Sequence, residues 1–347
     1  MFATHSPGFA ADLTATCKSG LSGSAVVPGE VVLIYTDTLT EPAYAAAFWA
    51  AARELGAEVF QLMVSALPLD RASRVENRTT LAESTQGTLE SADLVIDISS
   101  GGLLYSDSRA RILNAGGRIL RVREPWDILK RMPPIQSVKE RTLKGMARLA
   151  QANLIRVRSD NGTDFSVERN NRVTECQYGA ADVKGRWDHW PSGMIYCAPV
   201  ETTLKGTLII DRGDLLFPPN RYVQEPIRCE FRAGYLEHID GGADAVIFSE
   251  YLFRSGDRNC RRIAHLGWGT EHRARWETFS IRGGEGGGSI EARSAYGNVL
   301  LALGENRDLG GENSAPVHSD IALRRATLEL DGEVIVSDGR IVPEALA

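Results

Sequence analysis

Imidazole is the side chain whose unperturbed protonation changes nearest neutral pH, and it is a frequent metal ligand. The chain has six: His5, His189, His238, His265, His272 and His318. The stretch "PVHSDIA", residues 316–322, places His318 and Asp320 two apart among apolar neighbours. On an extended segment, residues i and i+2 share a face, so an imidazole nitrogen and a carboxylate oxygen can converge there on one ion. A His-x-Asp pair alone is common at surfaces, so a metal reading needs a third ligand. His265, in "RRIAHLGWGTE", is the plausible one, at the end of a short apolar run before a glycine-rich turn. Two imidazoles and one carboxylate make the facial set of mononuclear non-haem Fe(II) oxygenases, which leaves coordination positions for substrate and O₂. Zinc is the competing ion.

Such a set needs a rigid frame, and 347 residues with 43% hydrophobic content suffice for a large core, with length favouring two domains. From Glu30, "EVVLIYTD", "PAYAAAFWAAARELG" and "AEVFQLMVS" read as strand, helix and strand. The pattern recurs in "ADLVIDISS", "SDSRARILNAGG" and "RILRVRE", so a parallel sheet flanked by helices is expected over about residues 25–125. No G-x-G-x-x-G follows the first strand, which disfavours a dinucleotide site. After the basic amphipathic helix "KERTLKGMARLAQA" the texture turns to short β runs, with hairpin pairs at Asn161-Gly162, Asp331-Gly332 and Asp338-Gly339. The expected division is an N-terminal α/β domain, residues 1–152, and a C-terminal β-rich α+β domain, 153–347, that binds metal and carries catalysis. The cluster Gly283 to Gly288 reads as a mobile loop, either connector or lid.

Several classes are disfavoured. The formal charge of −6 is spread along the chain without a Lys/Arg block, so nucleic acid is not an expected partner. No apolar run approaches the ~20 residues of a membrane span, and the N-terminus lacks a targeting pattern, so the expected location is the cytoplasm, with no membrane partner. Five scattered cysteines without C-x-x-C spacing suggest neither a disulfide framework nor a thiolate zinc site.

The stretches "HWPSGMIYCAPVETTLKGTLIID", "GYLEHIDGG", "RRIAHLGWGTE", "GNVLLALGEN" and "PVHSDIAL" resemble the C-terminal domain of the thermophilic metallo-aminopeptidase family, typified by aminopeptidase T, across most of residues 187–323. The resemblance implies that family's fold. It also exposes departures. The family holds two metal ions, with a ligating Glu where this chain has Met194 and a ligating His at about Leu300; a further family Glu is His265 here, while the closing His-x-Asp pair is retained as His318 and Asp320. A site altered in this way resembles that of mononuclear iron relatives, ring-cleaving dioxygenases of dihydroxypyridines in nicotinate and nicotine degradation.

What this resemblance implies is specific. Fe(II) on His265, His318 and Asp320 binds a dihydroxypyridine and O₂; the ring opens between carbons 5 and 6 to N-formylmaleamate without a reductant or organic cofactor, in a homo-oligomer. His189, in "WDHWPSG", is the candidate base for a substrate hydroxyl, against a histidine packed between Trp187 and Trp190 that satisfies a backbone group. Leu104 and Tyr105 follow "SSGG" at the C-terminal end of a parallel strand, where such sheets present ligand loops, so both are candidate substrate contacts, Tyr105 as a catalytic residue that hydrogen-bonds a substrate hydroxyl, against an ordinary half-exposed loop tyrosine. Trp268 and Phe165 are read as core, His238 as structural beside an Asp240 that organises a turn, and His272 as surface. Arg254, Arg258, Arg261 and Arg262 are either a solvated face or an attraction for an anionic substrate. The alternatives are a zinc aminopeptidase-like hydrolase that would draw on Glu201, Glu237 or Glu271, and a non-catalytic binding protein that kept the fold.

Overall fold

The computed structural model describes residues 6–66, 81–104, 106–281 and 288–342. The described residues divide into two compact units: those of 6–136 and 177–192 form one, and those of 137–176 and 193–342 the other. Among the described residues no helix is long and apolar enough to cross a membrane.

In the first unit the strands Val31–Asp37, Glu58–Val64, Leu94–Asp97, Arg118–Val122 and Trp187–Trp190 form one parallel sheet, with Val31–Asp37 between Glu58–Val64 and Leu94–Asp97. The strands Val31–Asp37, Leu94–Asp97, Arg118–Val122 and Trp187–Trp190 are buried along almost their whole length, polar residues included, because both faces of the sheet are covered. Phe48, Ala51 and Ala52 of the helix Pro42–Glu54 lie in the core on one face, and Ile112 of Asp107–Asn114 in the core on the other. An N-terminal helix, Pro7–Gly23, adds Leu13, Cys17 and Leu21; its start is set by Ser6, whose hydroxyl accepts from the Phe9 amide at 3.3 Å, and by Pro7 in the first turn. At the end of Leu94–Asp97, Asp97 is fully buried. One carboxylate oxygen takes Arg121 at 2.7 Å and the Ser99 hydroxyl at 2.7 Å, and the other the Leu103 amide at 2.8 Å, so this aspartate shapes the "SSGGLL" loop.

The second unit holds an eight-stranded and a seven-stranded sheet. The hairpin pairs act as expected: Asp331 and Gly332, φ 49° and 89°, and Asp338 and Gly339, φ 44° and 76°, are left-handed at the tight turns of successive hairpins. In the seven-stranded sheet, Leu215–Phe217, His318–Leu323, Val299–Gly304, Ile263–Gly269 and Met194–Cys197 lie side by side. One face of these strands, with Phe279, Ile290 and Ala292 from two short helices, forms an apolar cluster containing Met194, Tyr196, Leu215, Phe217, Leu300 and Ala322.

The expected single boundary after residue 152 differs from this division at two places. The helix Gln136–Gln151 is fastened to the second unit: the Arg169 side chain donates to Ala152 O at 2.7 Å and Ala150 O at 2.8 Å, capping the helix end, and Arg141 donates to Thr270 O at 2.9 Å. The strand Trp187–Trp190 joins the parallel sheet beside Arg118–Val122, so His189 lies in the first unit rather than in the β-rich one.

Candidate metal centre

Register builds the site. His265, Ala302, Asp320 and Phe217 are paired in sequence across four neighbouring strands, so they form one row on one face. His318 is two residues before Asp320 and shares that face. Two strands apart, the backbones carrying His265 and Asp320 are separated by roughly 10 Å. Their side chains meet because the residue between them is Ala302, whose methyl leaves the space above it open. The His265 Nε2 to Asp320 Oδ1 distance is 2.9 Å, and His318 Nε2 to the same oxygen is 3.5 Å.

These three residues are the one group of three or more His, Cys, Asp and Glu among the described residues whose ligand atoms converge, all within 4.8 Å of one another. His265 and Asp320 are 5% and 7% exposed. The protonation of Asp320 and His265 suits a cation, and His318 must give up a proton to one. For Asp320, burial opposes ionisation, but Arg293, His318 and the hydrogen bonds from both imidazoles outweigh it and hold the carboxyl well below its ordinary range. Burial pushes the His265 pKa down despite Asp320, which favours the neutral ring. Burial also works against a charged His318, but Asp320 and the Glu305 carbonyl win there and the pKa is raised. His318 Nδ1 lies 2.7 Å from Glu305 O; a carbonyl can only accept, so Nδ1 carries a hydrogen, and Nε2, 3.5 Å from Asp320 Oδ1, is the nitrogen left to offer a lone pair to a cation once the ring is neutral. The donor set therefore fits a first-row divalent metal: two imidazole nitrogens and an anionic oxygen, one imidazole oriented by a backbone carbonyl. His265 Nδ1 is buried without a hydrogen-bond partner, and its ring is placed by packing, with the Tyr196 and His318 rings 5.4 and 5.2 Å away.

His265 departs from expectation in one respect. It does not precede a turn but sits inside Ile263–Gly269, which continues through Gly267 and Gly269. Both glycines serve close packing: a Cβ on Gly267 would lie 1.8 Å from Ile195 O, and one on Gly269 2.2 Å from Ala295 O. The pair His318 and Asp320 is on a strand, as its spacing suggests. Met194 and Leu300, where the two-metal pattern has ligands, are 5% and 1% exposed within the apolar cluster.

The three carboxylates on which a hydrolase would draw are engaged elsewhere. Glu201 takes Asn306 Nδ2 at 2.9 Å, the Glu312 amide at 2.7 Å and Arg172 at 2.9 Å. Glu271 is clamped by Arg273 at 2.6 Å, and Glu237 pairs with Arg258 at 2.7 Å. A cleft of about 640 Å³ in the same unit, lined by residues that include His272, Trp276, Arg324 and Arg340, contains none of the three converging residues.

In the first unit, His189 is 9% exposed, its Nδ1 is 3.1 Å from Gln177 Oε1, and its ring meets Trp187 edge-on at 4.7 Å. Trp190 is not its second wall: strand alternation puts it on the other face, against Phe48, with Nε1 donating to Met132 O. Leu104 is half-buried against the parallel-sheet core, and Tyr105 lies outside the described residues, as do His5 and all of the glycine cluster but Gly288, which caps Ser289–Ser294. Trp268 and Phe165 are core, 0% and 1% exposed. His238 and His272 are exposed, and Asp240 accepts from the Gly241 amide at 3.0 Å. Arg258 and Arg262 stack on Tyr235, and Arg261 on Phe253, which accounts for most of the basic cluster by aromatic packing. Sequence reasoning missed Arg293, Ala302 and Glu305. Only the small residue alternating with leucines in "NVLLALG" gave a readable sign, a gap on one face of a strand.

Comparison with known proteins agrees on the architecture first. Wild-type AmpT from Thermus thermophilus superposes with a TM-score of 0.64 over 96% of this chain and 99% of its own at 12% identity, a likeness of fold, so the framework is the aminopeptidase-type one. The family is defined more closely: the model of 2,5-dihydroxypyridine 5,6-dioxygenase matches residues 12–343. The 2,5-dihydroxypyridine 5,6-dioxygenase of Pseudomonas putida (strain KT2440) is 38% identical over 259 residues, 75% of this chain and 73% of that protein. The solved 2,5-dihydroxypyridine dioxygenase from the same strain has a TM-score of 0.91 at 34% identity, covering 97% of this chain and 99% of that one. The chain belongs to the 2,5-dihydroxypyridine 5,6-dioxygenase family, a family of enzymes.

Proposed function

We propose that the chain opens the ring of 2,5-dihydroxypyridine with O₂, using Fe(II) held by His265, His318 and Asp320. The observation that carries this reading is the convergence of two imidazoles and one ionised carboxylate within 4.8 Å in a chain of this family. Bound ferrous iron would supply what these side chains lack, a centre that brings the aromatic substrate and O₂ together and exchanges electrons with both. The reaction balances without a further reductant. The bond between carbons 5 and 6 breaks; carbon 5 keeps its own oxygen and gains one to become a carboxyl, carbon 6 gains the other to become an N-formyl group, and the product is N-formylmaleamate.

The chain's own residues contribute orientation and charge. Asp320 supplies one negative charge against the cation, Glu305 O fixes the tautomer and plane of His318, and burial keeps His265 neutral. His189 remains the candidate for proton exchange with a substrate hydroxyl; Leu104 and Tyr105 remain candidate substrate contacts.

Oxygen uptake by anaerobically purified, Fe(II)-loaded protein on addition of 2,5-dihydroxypyridine tests the proposal, followed together with loss of the substrate's ultraviolet band. Stoichiometric uptake, abolished together with iron binding in His265→Ala, His318→Ala and Asp320→Ala, is the expected result. Iron bound without uptake overturns the substrate, and zinc retained in preference to iron, with amide hydrolysis, overturns the reaction class.

A further inference from the structure

Arg293 has no place in the ligand set, yet its side chain is largely buried, 16% exposed, on the helix Ser289–Ser294. Three contacts fix it. Nε donates to Asp320 Oδ2 at 2.8 Å, Nη1 donates to Ser289 O at 3.1 Å, and the guanidinium lies over the Phe217 ring, 4.1 Å from its centre. Phe217 is itself the register partner of Asp320 on the neighbouring strand, so the surface on which the guanidinium rests and the carboxylate it holds are placed by the same backbone ladder.

We infer that Arg293 is the positioning residue of this centre: it takes Oδ2 of Asp320 and leaves Oδ1 as the single oxygen turned toward His265 and His318. The inference rests on the metal reading above. A carboxylate with both oxygens available can chelate one cation through both or bridge two cations. A guanidinium fixed on Oδ2 works against both arrangements, since it occupies a lone pair of that oxygen and sets a second positive charge beside it. One ion is then held through one carboxylate oxygen, which leaves more of its positions for substrate and O₂.

The division of contacts fits this assignment. Oδ2 faces Arg293, whereas Oδ1 is 2.9 Å from His265 Nε2 and 3.5 Å from His318 Nε2. Arginine suits the position because its planar fork can donate to the carboxylate and to a backbone carbonyl at once while stacking on an aromatic face. Without it, Asp320 would be a buried carboxylate free to rotate, facing two imidazoles and no permanent cation. A metal would then have to order the carboxylate and carry its whole burial cost.

The test is calorimetric titration of the full-length, metal-free chain with Co(II), comparing wild type with Arg293→Met, alongside thermal melts of both without metal. Wild type is expected to bind one equivalent. Arg293→Met is expected to bind roughly 10- to 100-fold more weakly, the loss typical when a partner orienting a metal ligand is removed. Its stabilisation by added Co(II) should shrink in parallel, a change that a merely structural ion pair would not produce. Should Arg293→Met fail to fold, Arg293→Gln, which keeps a donor but no charge, is read in the same way. A folded variant that binds Co(II) as tightly as wild type overturns the role of Arg293 and leaves the metal reading intact. A folded wild type that binds no Co(II) overturns both.

Discussion

Asp320 and Asp214 are buried carboxylates of the same unit, 7% and 6% exposed, and their surroundings drive them in opposite directions. Asp320 has a guanidinium on one oxygen and two imidazoles at the other, and stays ionised. Asp214 accepts from the backbone amides of Arg324 and Asp211, each at 2.8 Å; burial dominates and pushes its carboxyl up to about 7. Asp214 ties a turn to the end of the His318–Leu323 strand, with oxygens that face main-chain donors. Asp320 keeps its charge in a place where only a cation uses it. Burial alone therefore does not single out a functional carboxylate; the difference lies in a fixed charge that maintains ionisation and in convergent lone pairs that have no other task.

The same contrast separates the histidines, and the largest expected effect tests it. His318 has Nδ1 committed to a carbonyl and Nε2 turned to a shared point, whereas His189 has Nδ1 against a side-chain amide and a tryptophan on its ring. If His189 exchanges a proton with substrate, His189→Gln lowers kcat by about 10²- to 10⁴-fold and leaves bound iron unchanged. Unchanged kcat with a lowered melting temperature would place His189 with Asp214, as a buried polar group that serves the fold. Steady-state oxygen uptake, metal analysis and a thermal melt on one preparation decide between them.

Much of this contrast could be read in advance, and the unread part has a physical cause. The parallel sheet announced itself through β-branched runs alternating with an alanine-rich helix, and the hairpins through Asp-Gly pairs, because local backbone preference and burial agree there. His318 and Asp320 were legible from a spacing of two. The N-terminal helix and the joining of Trp187–Trp190 to the parallel sheet were not: one has little amphipathic contrast, and the other depends on a pairing with Arg118–Val122 some seventy positions earlier. Arg293 carries no local mark either, since its function is defined by an aspartate 27 positions later in the chain.

Ala302 offers the next largest effect. In Ala302→Leu the added carbons fill the space over which His265 and Asp320 meet. Forcing methylenes into a packed face costs about 1–3 kcal/mol of stability. Metal affinity should fall by roughly tenfold or more, because a supporting position has moved both ligands. Ala302→Gly should leave binding within a few-fold of wild type. Calorimetric titration and denaturant unfolding of the two variants check this, and tight binding by the leucine variant would remove the steric account of how the row meets.

The smallest expected effect is a slope, and it tests the other half of the opening comparison. Asp214 keeps its proton in the native state up to about pH 7, whereas in the unfolded chain it loses it near 3.8. Between those values the native state binds more protons than the unfolded one, so this group's contribution to stability falls as pH rises across the window and levels off above about 7. The slope cannot exceed about 1.4 kcal/mol per pH unit for one proton, and water reaching the carboxylate would reduce it. Asp214→Asn keeps the acceptor oxygen without the charge, so it should flatten the slope between pH 4 and 7 and raise stability at pH 8 relative to wild type. Unfolding curves in urea across that range measure it with the metal absent, so that the ligands' own protonation can be separated by repeating the series in the Asp320→Asn background. A wild-type slope that survives in Asp214→Asn would mean that backbone donors alone keep this carboxylate ionised, and Arg293 would then not be what distinguishes Asp320 from it.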